Sequence, residues 1–127
     1  VRVSIMSDRF SATLMEHFLQ PRNRGRLEDA SGIGVSGTPG AGPFFLIRVL
    51  ISDNRVADAR FDSHNCGVTV ACGSVLTSLV KGLSVDEARE LTPEVLEAAL
   101  DGVPVDKKHV PILAINTLLQ AIVEAVA

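Results

Sequence analysis

Between Phe44 and Asp62 the side chains alternate. Phe45, Ile47, Val49 and Ile51 interleave with Phe44, Leu46, Arg48, Leu50 and Ser52, and after Asp53-Asn54 the residues Ala57, Ala59 and Phe61 interleave with Asp58, Arg60 and Asp62. A period of two sends every second side chain to the same face, and an Asp-Asn pair between two such runs is turn chemistry. The pattern predicts an antiparallel β-hairpin with one apolar face that another part of the chain must cover. A lone hairpin is marginal in water, so a third strand is needed. Ile33 and Val35 are placed to supply it.

The cover is expected from the chain after Asn65, which reads as helix throughout. One helix spans Gly67 to Lys81 and stops at Gly82; a second runs from Ser84 to Leu91 behind a Ser84/Glu87 capping box; a third runs from Pro93 to Leu100 with Thr92 as N-cap; the last begins at about Pro111. Upstream, Asp8 to Gln20 sets Phe10, Leu14 and Phe18 near helical period until Pro21 ends it. From Pro21 to Pro43 there is no period, most of the glycines fall there, and Arg22, Arg24 and Arg26 cluster in what reads as an extended, loop-rich segment. Strands early and helices late predict an α+β fold: a small antiparallel sheet of about three strands with helices packed on one face. Residues 1–127 read as a single domain, and 46% apolar against 21% charged residues excludes a disordered chain.

Composition also narrows function. Twelve Lys and Arg against fifteen Asp and Glu leave no basic footprint for nucleic acid, and the absence of Trp and Tyr removes the usual stacking platforms. In the opening run Val1 to Phe10, Asp8 and Arg9 interrupt a stretch too short for a signal-peptide core, so the expected location is cytoplasmic. Val110 to Ala127 carries one charge, Glu124, but Pro111, Asn116, Thr117 and Gln120 make a bilayer span costly, and no membrane association is expected. That helix sets apolar residues around more than one face, with Leu118 and Val123 taken as outward-facing, so a homo-oligomer, with a two-fold dimer as its simplest form, is expected to bury the surplus.

Few residues can carry chemistry. Gly32 to Gly37 matches G-x-G-x-x-G, but the following Thr38-Pro39-Gly40-Ala41-Gly42-Pro43 forbids the helix that a dinucleotide site requires, so a loop is expected there. Cys72 shares a helical stripe with Val68, Val75, Leu76 and Leu79 and is expected in the core. Cys66 sits at a strand-to-helix corner, where helix amides favour a thiolate, although a small residue filling a corner fits equally. If both cysteines lie on one helix their Cα atoms are about 9 Å apart, beyond disulfide reach. His64 falls on the polar face of its strand, His17 inside the first helix in a structural role, and His109 just before the last helix, suited to a metal, a proton or solvent. No Ser-His-Asp arrangement emerges, and no enzymatic activity is expected.

Taken in order, the stretches His17-Phe18-Leu19-Gln20-Pro21-Arg22-Asn23-Arg24-Gly25, Gly37 to Gly42, Asp58-Ala59-Arg60-Phe61, Asn65-Cys66-Gly67, Val80-Lys81-Gly82-Leu83-Ser84 and Lys107-Lys108-His109 resemble the IscU and NifU N-terminal family of iron–sulfur cluster scaffolds. The resemblance implies an α+β fold, an iron–sulfur cluster or iron as cargo, and a cysteine desulfurase or other cluster-assembly proteins as partners. It also implies a ligand set of three cysteines with an Asp and a His. At the matching positions this chain has Ala41 for the first cysteine, Pro43 for the aspartate, Cys66 for the second cysteine, His109 for the histidine and Val110 for the third cysteine. Cys66 and His109 are thus the implied cofactor and metal ligands. The family's chaperone-recognition tract is only echoed by Val103-Pro104-Val105-Asp106-Lys107. A two-iron cluster takes four protein ligands, so by count the monomer is expected to hold none stably. The readings that follow are a scaffold with altered cluster binding, a non-catalytic binding or regulatory subunit, and a persulfide carrier using Cys66 alone.

Overall fold

The computed structural model describes residues 10–38, 40–64 and 67–127. Helix α1 (Ala12–Leu19) is followed by strands β1 (Gly32–Ser36), β2 (Phe44–Ser52) and β3 (Arg55–His64). Helices α2 (Gly67–Val80), α3 (Val85–Arg89), α4 (Pro93–Ala99) and α5 (His109–Val126) complete the order, with a single 3-10 turn at Val105–Lys107 before α5. The strands form one antiparallel sheet in the order β1-β2-β3. The α+β architecture expected from the sequence is the one observed.

Alternation places Phe45, Ile47, Val49, Ala59 and Phe61 on the inner face, all fully buried. The hairpin departs from expectation at one residue. The register jumps from Leu50 opposite Asp58 to Ile51 opposite Val56, so Ala57 is the extra residue of a bulge. Val56 takes the core position expected for Ala57, which is exposed. The turn itself is tight, with both Asp53 and Asn54 at positive φ.

Two helices cover the inner face, and glycine decides how close they come. Helix α5 lies on β1 and β2, and α2 lies on β3. A Cβ built on Gly32 would collide with the carbonyl oxygen of Ala121, and one on Gly34 with that of Thr117, so β1 and α5 meet backbone to backbone. Gly32 to Ser36 form the third strand expected at Ile33 and Val35, where the glycine motif by itself reads as a loop, and the first two glycines seat a helix. Gly73 plays the same part for α2, whose backbone there rests on the Phe61 ring.

Both sheet edges are occupied. The Ile33 and Val35 amides donate to Glu124 Oε1 and Gln120 Oε1, each at 3.3 Å. On the other side, Phe61 exchanges backbone hydrogen bonds with Asn23 (3.0 Å) and Gly25 (2.9 Å), so the segment after α1 straps β3. Covered edges remove the templates for unwanted strand pairing.

The helix caps follow the sequence closely. Ser11 accepts from the Leu14 amide to start α1, Ser84 and Glu87 form the full capping box of α3, and Thr92 caps α4 with Pro93 behind it. Helix α5 begins at His109, two residues before the expected Pro111, which sits in the first turn where no intrahelical amide is lost. Leu118, expected on the outer face, is fully buried, whereas Val123 is 63% exposed. By length and apolar composition Val105–Val126 could cross a bilayer. Here its Val110, Ala114, Leu118, Ala121 and Ile122 side packs into the core.

Candidate functional site

The sheet register and the run of α5 bring the β1–β2 loop, the end of β3 and the start of α5 to one end of the sheet. Phe44 pairs with His64 and Ser36 with Phe45, so the loop between β1 and β2 lies beside the exit of β3 toward Asn65 and Cys66. Helix α5 runs antiparallel to β1, because Gly32 meets Ala121 and Ala125 while Gly34 meets Thr117. Its residue numbers fall toward the same end, where His109 opens the helix. The first turn of α2 is there too, at Gly67.

Two long helices thus start at the end that the loop overhangs, and neither has an acidic residue in its first turn. The helix dipole makes each start partly positive, favouring a thiolate or an anionic group placed before it. No side chain caps α5.

Within this end the individual residues divide. Cys66 and Asn65 lie outside the described residues, as does the His64 side chain. His109 is exposed at the α5 start, and Val110 beside it is fully buried. Ala41 is exposed in a turn where its amide donates to the Thr38 carbonyl at 3.0 Å, and Pro43 is half-buried. Among the described residues no three His, Cys, Asp or Glu side chains gather at metal-binding spacing.

The motif from His17 to Gly25 is a structural clasp that sequence periodicity missed. Buried His17 lies on the Leu14 side of α1, and Phe18, expected on the apolar stripe, is 37% exposed, although its ring lies against Gly67. His17 Nδ1 is 2.7 Å from Ser74 Oγ, which also accepts the Arg22 amide at 2.9 Å. The imidazole tautomer decides whether Nδ1 or the Ser74 hydroxyl donates in that contact. The Arg22 guanidinium lies 3.0 and 3.2 Å from the two ring nitrogens and reaches Glu16 at 3.1 Å. Asn23 continues the clasp to Thr77 and Ser78 of α2, while Lys81 bridges Asn23 and Asp58.

Burial, and after it the Arg22 charge, hold the His17 imidazole below its ordinary range against the opposing pull of Glu16. The unfolded chain therefore takes up this proton at about pH 6.5, where the folded chain still refuses it. Stability is expected to be complete above about pH 7 and to fall as the pH drops through the ordinary imidazole range. Urea midpoints measured across that range should show the fall, and His17→Gln should flatten it; an equal slope in the variant would assign the loss to other groups.

Cys72 is fully buried on α2, as its stripe predicts. If Cys66 stands at an open helix start, iodoacetamide with mass mapping is expected to modify it in the folded chain and Cys72 only on unfolding. Faster labelling of Cys72 would overturn that order.

The chain matches the NifU-like N terminal domain over residues 9–125. It is 36% identical over 115 residues to the iron-sulfur cluster assembly scaffold protein IscU 1 of Archaeoglobus fulgidus, spanning 91% of this chain and 75% of the relative. It is 39% identical over 119 residues to the scaffold protein IscU of Aquifex aeolicus, spanning 92% of this chain and 76% of the relative. Among solved structures, a nitrogen-fixing NifU-like protein (N-terminal) from Brucella abortus aligns with a TM-score of 0.68 at 18% identity, covering 95% of this chain and 96% of that one. The last likeness concerns the fold alone.

Proposed function

Since this chain belongs to the NifU-like N-terminal domain family, with cluster-assembly scaffolds among its relatives, we propose that it serves iron–sulfur cluster assembly as a scaffold-like protein with altered cluster binding. Cys66 and His109 are the side chains it keeps for the cargo. The observation that carries the reading is the convergence of the β1–β2 loop, the β3 exit and the uncapped start of α5 at one end of the sheet. Such an end suits an anionic cargo.

The ligand count sets how that cargo is held. With alanine at 41, proline at 43 and valine at 110, one chain offers a thiolate and an imidazole where a two-iron cluster takes four donors. The remaining donors must come from outside the chain: a small thiol, a second copy or a protein partner. The partner in this reading is a cysteine desulfurase or another cluster-assembly protein, the chain itself catalyses nothing, and it works in the cytoplasm, where thiols stay reduced.

Val110 and Ala41 favour a second reading. Val110 is packed into the core and Ala41 offers only a methyl group, which also suits a binding or regulatory subunit that occupies a scaffold's place without building clusters. Transfer of sulfur to Cys66 alone is a narrower version of the first reading.

Anaerobic reconstitution with iron and sulfide separates these. The monomer is expected to lose its iron on gel filtration, and to keep it when glutathione or a desulfurase is present. A stoichiometric cluster surviving on the isolated monomer would overturn the altered-binding reading. Failure to gain iron under any of these conditions, with a desulfurase complex still forming, would favour the regulatory subunit.

A further inference from the structure

Among the described residues, two buried side-chain atoms have no hydrogen-bond partner, Arg60 Nε and Ser63 Oγ. Arg60 Nε faces the Asp58 carboxylate at 3.6 Å, so its charge is answered. The Ser63 hydroxyl has no such neighbour among them. Ser63 is fully buried, and a hydroxyl buried without a partner gives up its water for nothing. Alanine would fill the same space without that cost.

The rest of Ser63 is held firmly. Its amide donates to Asp62 Oδ1 at 2.9 Å, and its carbonyl accepts from the Arg24 guanidinium at 2.8 Å. Alternation from Phe61 puts the side chain on the inner face of β3. It pairs across the sheet with Phe45, which pairs in turn with Ser36, one row from the end of the sheet. Helix α2 runs back along β3, since Gly73 rests on the Phe61 ring and Gly82, past the helix, donates to the Val56 carbonyl at 2.8 Å. Its first turn therefore comes over Ser63. Helix α5, with Thr117 over Gly34, brings its own first turn to the same end.

We propose that the Ser63 hydroxyl is a hydrogen-bond donor to an anionic sulfur of the cargo, a cluster sulfide or a thiolate that ligates it, bound between the starts of α2 and α5. A hydroxyl can donate or accept. Two partly positive helix starts, neither with an acidic residue in its first turn, favour a negative atom opposite the hydroxyl proton over a cation opposite its oxygen. Hydrogen bonds to cluster sulfurs spread their charge and set the reduction potential.

This role rests on the scaffold-like reading and adds a contact to it without changing the donor count, because the hydroxyl binds sulfur and not iron. Ser63 and Val110 are both fully buried, so cargo reaches the hydroxyl only as the first turn of α5, which no side chain caps, opens.

Ser63→Ala and Ser63→Thr in the full chain test the assignment. Without iron, Ser63→Ala is expected to keep or raise the urea midpoint, because the hydroxyl it removes bonds to nothing in the fold. A clear fall would give the hydroxyl a partner within the fold and overturn the proposal. After anaerobic loading with iron, sulfide and glutathione, Ser63→Ala should lose iron to a chelator about three- to tenfold faster than the native chain. Its reduction potential should also be lower, since the extra charge of the reduced cluster loses a donor. Ser63→Thr, which keeps the hydroxyl, should stay close to native in both; an equal loss in both variants would assign the effect to packing and overturn the role. Equal rates and potentials in Ser63→Ala and the native chain would overturn it too, while leaving the scaffold-like reading in place. A native chain that takes up no cluster even with glutathione or a desulfurase would overturn both.

Discussion

Gly34→Ala is expected to destabilise the protein by about 3 kcal/mol, a large effect for the addition of one carbon. The added Cβ would fall on the carbonyl oxygen of Thr117 and close to the Ala121 amide. Both are helix backbone, so no side chain can rotate away, and either β1 lifts off the sheet or α5 shifts along its length. Moving α5 disturbs Ala114, Leu118, Ala121 and Ile122, all fully buried. Moving β1 breaks the Ile33 and Val35 amide bonds to Glu124 and Gln120. Thermal and urea unfolding measure the loss, and a midpoint about 10 °C lower is expected for a domain of this size. Ile33→Ala, on the opposite face and 40% exposed, is the control and should cost about 1 kcal/mol or less. Equal midpoints for Gly34→Ala and the native chain would mean that β1 and α5 do not meet as described.

The same contact explains what the sequence could and could not reveal. The inner faces of β2 and β3 were legible because a period of two is a local property, and Phe45, Ile47, Val49, Ala59 and Phe61 obey it. The bulge at Ala57 was not, since an extra residue on one strand shows only when its partner is known. Ile33 and Val35 marked the third strand, but the flanking glycines read as loop chemistry. Their purpose lies in a helix more than eighty residues away in the chain. Leu118 was misplaced for a related reason: α5 is apolar around much of its circumference, so hydropathy alone could not say which side meets the sheet. His17 was read as structural, and it is, but its partners Ser74 and Arg22 come together only through the turn at Pro21.

The candidate site was legible as positions and illegible as a place. The resemblance to the scaffold family picked out Ala41, Pro43, Cys66, His109 and Val110 one by one. That the β1–β2 loop and the α5 start share an end follows only from the antiparallel run of α5 along β1, which is a tertiary fact. The convergence of two helix starts adds an electrostatic reason for an anionic cargo that no single segment contains.

Restoring both missing thiols is expected to convert a chain that loses its cluster into one that keeps it. Ala41→Cys places a thiol in an exposed turn and should cost little stability. Val110→Cys trims a buried side chain, at about 1 kcal/mol. Val110 is fully buried, so the first turn of α5 must open for a thiol at position 110 to reach a cluster. With Cys66 and His109 the double variant offers four donors, whereas each single variant offers three. Ligands of one site act together, so the gain should be far from additive. Iron and sulfide per chain, measured after anaerobic gel filtration, should stay near the native level in each single variant and approach one cluster per chain in the double variant. If the two single variants each gained half, the thiols would be binding iron separately. If the folded double variant gained nothing, this end of the sheet would not be a cluster site at all.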